Sequence, residues 1–217
     1  MSKFFSLTLL LAIPALIAAL FFGINRNHSW YQQLTVTIAT PAGQVVGSSV
    51  TSVTRHAGIK SMGEMSLGRT SLRGEALAIE VTPGRWMFVL IGRQENLLYA
   101  MLTAAKHETY AEALPRILQQ TTPLTVPPDY YPMMATFTDI TDPKTVQQVD
   151  PADLAATFGP GVSLVSVMVE VTDEPVTEGI INAMVLDTPD YKSLKLVWQE
   201  IDRDTKRILS SDQWVGK

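Results

Sequence analysis

The most apolar stretch of the chain is residues 4–23, in which 16 of 20 positions are hydrophobic. This run is longer than the apolar core of a secretory signal, which extends over roughly 7 to 15 residues. A helix of this length rises about 1.5 Å per residue and so spans about 30 Å, the thickness of the hydrocarbon layer. The pattern predicts one transmembrane helix, Phe4–Gly23. A cleaved signal peptide and a buried core helix are the alternatives.

Alternation of apolar and polar residues predicts an antiparallel β-meander in the first half of the chain. Residues 33–39 alternate cleanly, and residues 33–55 form a predicted hairpin that turns at Thr40–Gly43. Alternation returns at Leu77–Val81. After a Pro-Gly turn, Trp86–Ile91 is a continuous apolar run that indicates a further strand.

The helical part of the first half lies in residues 95–120, where apolar side chains recur every three or four residues. Pro115 is expected to break or kink this helix. Residues 121–132 contain four prolines, which indicates a connector between two subdomains. The predicted domains are an anchor over residues 1–29, a meander with a helical segment over residues 30–120, and a second β-rich half over residues 121–217.

The second half shows strand patterns at Met133–Asp139 and Val165–Val171. Between them, Asp150 is a predicted helix N-cap, Pro151 occupies the first helical position and Gly159 follows the last turn. This set of signals predicts one short helix.

Near the C-terminus, apolar residues recur at helical spacing from Tyr191 to Ile208, after the opening Thr188-Pro189. One helix that packs on a sheet is expected, with a membrane-surface helix as the alternative. The patterns together predict an α+β fold. Its body is mostly antiparallel and β-sandwich-like with a few helices, preceded by one N-terminal transmembrane helix.

Composition narrows the possible chemistry. The 217 residues include 17 basic and 21 acidic side chains without a run of Lys and Arg, so no nucleic-acid partner is expected. The absence of Cys excludes disulfides, a thiol nucleophile and a Cys-ligated zinc site. The three His residues are scattered, and each is interpreted as a surface residue. No cofactor is expected.

Four aspartates form the one acidic cluster that could carry chemistry: Asp139, Asp142, Asp150 and Asp153. Oxygen ligands bind Ca²⁺, although these spacings do not match the EF-hand pattern. Paired carboxylates could also hydrolyse a glycosidic bond if the fold brings them together. The preferred interpretation is structural, because Asp before Pro forms turns and Asp caps helices. A metal or catalytic role for these weak candidates is the alternative.

Three motifs in the second half resemble a block found in uncharacterised bacterial envelope proteins. They are DPKTV at Asp142–Val146, VDPADLAATFGPGV at Val149–Val162 and VTDEPVT at Val171–Thr177. The order and spacing of the motifs make the resemblance specific. It implies an envelope location, a short N-terminal hydrophobic segment and a shared structural unit. It implies no activity or substrate.

These observations predict a single-pass protein of the inner membrane. Lys3 and the free amino terminus precede the apolar run and only Arg26 follows closely, so the soluble body is expected in the periplasm. The expected function is a non-catalytic binding or assembly module that contacts another envelope protein. The alternative is an envelope hydrolase or a cation-binding protein that uses Asp139–Asp153.

Overall fold

The predicted anchor Phe4–Gly23 lies outside the described residues. Within the described part of the chain, no helix is long and apolar enough to cross a bilayer. The computed structural model describes residues 27–56, 60–61, 64–65, 69–92, 94–104, 106, 108–197, 199 and 201–216.

The alternating segments form strands, and every strand pair with a described register is antiparallel. Antiparallel pairing is expected where short turns join neighbouring strands. The described residues form twelve strands: β1 (His28–Thr40), β2 (Gly43–Arg55), β3 (Lys60–Ser61), β4 (Glu64–Met65), β5 (Thr70–Glu75), β6 (Leu77–Thr82), β7 (Arg85–Val89), β8 (Leu124–Thr125), β9 (Met134–Phe137), β10 (Val146–Val149), β11 (Ser163–Thr172) and β12 (Val215–Gly216).

Two sheets account for most of these strands. The larger has the order β12-β5-β2-β1-β11-β8, and the smaller has the order β10-β9-β7-β6. The predicted hairpin is confirmed as β1 and β2, with β1 starting earlier, at His28. Both sheets contain strands from before and after residues 121–132, so this proline-rich connector does not separate one sheet from the other.

The helices are short. Among the described residues they are α1 (Leu97–Thr103), α2 (Tyr110–Leu118), α3 (Leu154–Phe158), α4 (Pro189–Val197) and α5 (Arg203–Leu209), with a π-helix at Asn182–Leu186 and 3₁₀ turns at Gln94–Asn96, Pro128–Tyr130, Pro143–Thr145 and Ser211–Gln213. The α+β prediction with antiparallel sheets and a few helices is confirmed.

Strand β7 is buried on both faces, which explains its continuous apolar sequence. Met87 and Val89 join a core cluster that also holds side chains of the larger sheet, such as Val36 of β1. Phe88 and Leu90 point into a second cluster, which holds Trp214 and residues of the C-terminal helices. The smaller sheet is therefore covered on one side by the larger sheet and on the other by the C-terminal segment.

Three helix predictions need correction. The predicted break at Pro115 does not occur, because helix α2 continues through it. Both Pro115 and Ala111 are exposed, so solvent can satisfy the Ala111 carbonyl that proline leaves without a donor. Helix α3 begins at Leu154 with Asp153 as its N-cap, so the predicted cap Asp150 lies before the helix. The C-terminal stripe forms two helices, because Asp202 caps a new helix at Arg203.

The Glu75 side chain joins the end of β5 to a distant segment. Its carboxylate is buried and accepts hydrogen bonds from the backbone N–H of Gly179 at 2.7 Å and of Ile181 at 2.9 Å, and from Asn182 Nδ2 at 3.1 Å. Three donors compensate the charge that burial removes from water. Glu75 thus fixes the start of the π-helical turn at Asn182.

The chain divides into two compact units. The smaller contains residues 27–29 and the described residues of 54–71, among them the β3–β4 hairpin, in which Lys60 pairs with Met65. The larger contains residues 30–53 and 72–216, with most of both sheets and all five α-helices. The candidate site described next lies entirely in this larger unit.

Candidate functional site

A groove of about 850 Å³ opens on the larger unit. Five separate segments supply its walls: the 3₁₀ turn leading into α1, the end of the proline-rich connector, β10, α5 and the C-terminal 3₁₀ turn. Amide, tyrosine and charged side chains dominate the lining. The lining residues are Gly92, Gln94, Glu95, Asn96, Leu97, Ala100, Asp129, Tyr130, Tyr131, Pro132, Met133, Gln148, Arg207 and Gln213.

Gln94 is the buried polar residue of this groove, with 2% of its surface exposed. Its Nε2 donates to the Leu90 carbonyl at 2.9 Å, and its backbone carbonyl accepts from Gln32 Nε2 at 2.9 Å. Its Oε1 accepts no hydrogen bond from the described residues. Since a buried acceptor without a donor costs about 1–3 kcal/mol, this oxygen favours an internal water as its donor.

Arg207 is the one cationic side chain among the lining residues, and it extends from the exposed face of α5. Its Nη2 donates to Gln148 Oε1 at 3.1 Å, which orients the guanidinium beside β10. Glu95 and Asp129 place negative charge in the same groove. A ligand that carries both hydrogen-bond donors and hydrogen-bond acceptors is complementary to these cationic and anionic side chains.

The C-terminal turn closes one side of the groove. Ile91 N donates to the Gln213 carbonyl at 2.9 Å, and the Gln213 side chain lies over Gly92. A β-carbon at Gly92 would overlap the Gln213 amide group, so a larger residue there would require the Gln213 side chain to move. The neighbouring Trp214 is fully buried and donates from Nε1 to the Ile208 carbonyl at 2.7 Å, which holds the turn against α5.

The first two predicted site aspartates form one local turn. Asp139 Oδ1 accepts from the Thr141 hydroxyl at 2.7 Å and from its backbone N–H at 2.9 Å, and these bonds lower the pKa of the Asp139 carboxyl. Asp142 Oδ1 accepts from Lys144 N at 3.0 Å. Thr145 Oγ1 lies 2.8 Å from the Asp139 carbonyl and 2.7 Å from the Asp142 carbonyl, and its single proton is shared between them. These are the contacts of a turn.

The second pair of aspartates forms another local structure. Asp150 Oδ1 accepts from Ala152 N at 2.9 Å in a turn, and Asp153 Oδ1 accepts from Ala156 N at 3.1 Å as the cap of α3. Each of the four carboxylates is therefore held by a backbone donor two or three residues away. Among the described residues, no group of three His, Cys, Asp or Glu side chains is arranged to hold a metal ion.

No protein-family model matches the chain, and no curated protein or solved structure is significantly similar to it. Similarity therefore transfers no residue role to this protein.

The groove residues were not predicted from the sequence. Asn96, Tyr131, Gln148 and Arg207 lie far apart along the chain and carry no motif. The one local signal is the Tyr130-Tyr131 pair beside the prolines of the connector, because adjacent half-buried tyrosines are common in binding surfaces.

Proposed function

We propose that this protein is a membrane-anchored, non-catalytic binding or assembly module of the bacterial envelope, and that the groove is its binding surface. The apolar run Phe4–Gly23 supports the anchor, since its length matches a bilayer. The motifs between residues 142 and 177 support the envelope location through their resemblance to envelope proteins.

The groove is the observation that carries the proposal. Four amide side chains line it, from Gln94, Asn96, Gln148 and Gln213. An amide both donates and accepts hydrogen bonds but does not exchange protons near neutral pH, so it suits recognition better than acid–base catalysis. Tyr130 and Tyr131 add aromatic surface with a polar hydroxyl, which is typical of sites that bind peptides or proteins.

A cross-linking experiment in the native cells tests this proposal. A photoreactive phenylalanine analogue replaces Asp129, which is exposed on the groove wall, or Val46, which is 61% exposed on β2 and does not line the groove. The proposal predicts one reproducible cross-linked partner from position 129 and not from position 46. Equal products at both positions, or none at position 129, would contradict it.

Matched substitutions then show whether cross-linking of the partner from position 129 depends on the groove. Gln148→Ala combined with Arg207→Ala removes the hydrogen-bonded pair on the wall and should reduce the cross-link from position 129 at least fivefold. Gln147→Ala changes the adjacent exposed residue of β10, which bonds Thr138 and does not line the groove. The yield should stay within twofold of the wild type for this control.

A further inference from the structure

We infer that one end of the soluble body faces the membrane, with Tyr31 and Leu118 against the lipid headgroups. This end is formed by the start of β1, the end of β11 and the end of α2. This inference rests on the proposed anchor and adds the orientation of the body. We name this surface the proximal end.

The sheet register places these parts together. Tyr31 of β1 pairs with Thr172 of β11, and Val171 N donates at 2.6 Å to the carbonyl of Gln120, two residues after Leu118. The beginning of β1, the end of β11 and the chain that leaves α2 therefore meet at one end of the larger sheet.

The length of chain between the anchor and β1 limits the orientation. Five residue steps separate Gly23 from His28, and a fully extended chain covers at most about 3.6 Å per step, or about 18 Å in total. From His28 to Thr40, β1 runs twelve steps at about 3.3 Å, or about 40 Å. The tether is too short for the sheet to stand upright with its Thr40 end at the bilayer, because β1 would then have to start about 40 Å above it.

The exposed apolar side chains at the proximal end fit a lipid surface. Tyr31 and Leu118 each leave 39% of their surface exposed. Tyr partitions to the headgroup level of a bilayer, where its ring is buried and its hydroxyl stays hydrated, and a leucine can insert beside it. Gln94 of the groove lies near the proximal end, because Gln32, next to Tyr31, donates a hydrogen bond to its carbonyl.

Single-cysteine labelling of the full chain tests the orientation, since the chain contains no Cys of its own. The variants Tyr31→Cys and Leu118→Cys report the proximal end. Val46→Cys and Val165→Cys are matched controls with exposed apolar side chains, 61% and 50%, on the opposite half of the same sheet, where Leu164 pairs with Ile38. Each variant is labelled with a fluorophore and reconstituted into vesicles of phosphatidylethanolamine and phosphatidylglycerol that carry a headgroup quencher.

The expected result is at least threefold stronger quenching at positions 31 and 118 than at positions 46 and 165. Flotation of the vesicles is measured separately. A chain that fails to float with the vesicles would overturn the anchor and the orientation together. A chain that floats but shows equal or reversed quenching would overturn the orientation alone. Protection of position 118 by a second copy, seen as concentration-dependent self-quenching without lipid quenching, would also overturn it.

Discussion

The acidic stretch over residues 139–153 and the groove differ in how far along the chain their polar contacts reach. In the acidic stretch, Asp150 bonds a donor two residues away and Asp153 a donor three residues away. At the groove, Gln32 and Gln94 are 62 residues apart, and Gln148 and Arg207 are 59 apart. Glu75 reaches further still, to Gly179, 104 residues away.

The difference shows which part of the structure each kind of polar residue stabilises. A side chain that bonds its own neighbours stabilises one turn, and an amide of similar shape can replace a carboxylate there. A side chain that bonds a remote segment fixes the distance between two elements. Where that contact is buried, as it is for Gln32 and Glu75, its loss leaves a buried group without a partner.

The largest expected effect is at Glu75. The Glu75→Ala variant leaves two backbone N–H groups and the Asn182 amide without an acceptor, which should lower the free energy of unfolding by about 3 kcal/mol. Urea denaturation measures this loss. Glu80→Ala on the next strand is the control, because Glu80 is exposed and accepts one hydrogen bond, from Gly84 N. A loss at Glu75 no greater than at Glu80 would remove the contrast between remote and local contacts.

The second effect concerns the buried glutamine that supports the groove. The Gln32→Ala variant removes the donor to the Gln94 carbonyl and opens a small cavity, at a cost of about 2 kcal/mol in unfolding free energy. Gln33→Ala serves as its neighbour control, since Gln33 is half-exposed, and its cost should be about 0.5 kcal/mol or less. Similar losses in the two variants would show that the remote bond contributes little.

A smaller effect is expected in the acidic stretch. Asp153→Ala removes the N-cap of α3 and should cost about 1 kcal/mol, whereas Asp153→Asn should be nearly silent because Asn caps a helix about as well. Thermal unfolding of both variants, with Ca²⁺ and with chelator, measures the two losses. If the Asn variant is as destabilised as the Ala variant, and only the wild type gains stability from Ca²⁺, the residue acts as a cation ligand.

The smallest expected effect is a pH dependence of protein stability that arises from the Asp139 carboxyl. Hydrogen bonds from the Thr141 hydroxyl and N–H hold the pKa of this carboxyl below its unfolded value. Such a group stabilises the fold above the unfolded pKa, which is about 3.9, and the contribution is lost as the pH falls through the lower folded pKa. Between pH 5 and pH 3, the melting temperature of Asp139→Asn should therefore fall slightly less than that of the wild type. A steeper fall in the variant would contradict this assignment.

The predictions from sequence succeeded where the signal is local. The hairpin at residues 33–55 and the strand at Val165–Val171 follow from alternation, which depends only on neighbouring residues. Strand β5, Thr70–Glu75, was missed because its sequence TSLRGE does not alternate. The short helix was found but started too early, since the cap was assigned to Asp150 whereas Asp153, three residues later, caps the helix.

The groove was not predictable in the same way. Its walls come from five segments that tertiary contacts bring together, among them the hydrogen bonds from Ile91 N to the Gln213 carbonyl and from Arg207 to Gln148. Those contacts depend on the tertiary fold, and no spacing in the sequence encodes them. The C-terminal helical stripe was expected to pack on a sheet, but its position on the outer face of the smaller sheet was not predicted, although the unbroken apolar run at Trp86–Ile91 indicates a strand buried on both faces.

The most direct test of the central claim combines the two regions in one cross-linking measurement. The photoreactive analogue stays in place of Asp129 while either the four aspartates are changed to Asn (Asp139, Asp142, Asp150 and Asp153) or Gln148 and Arg207 are changed to Ala. Our account predicts that the fourfold Asn variant keeps the partner cross-link within twofold of the wild type and that the groove variant loses at least four-fifths of it. Loss in the Asn variant with retention in the groove variant would show that the acidic stretch is the functional site.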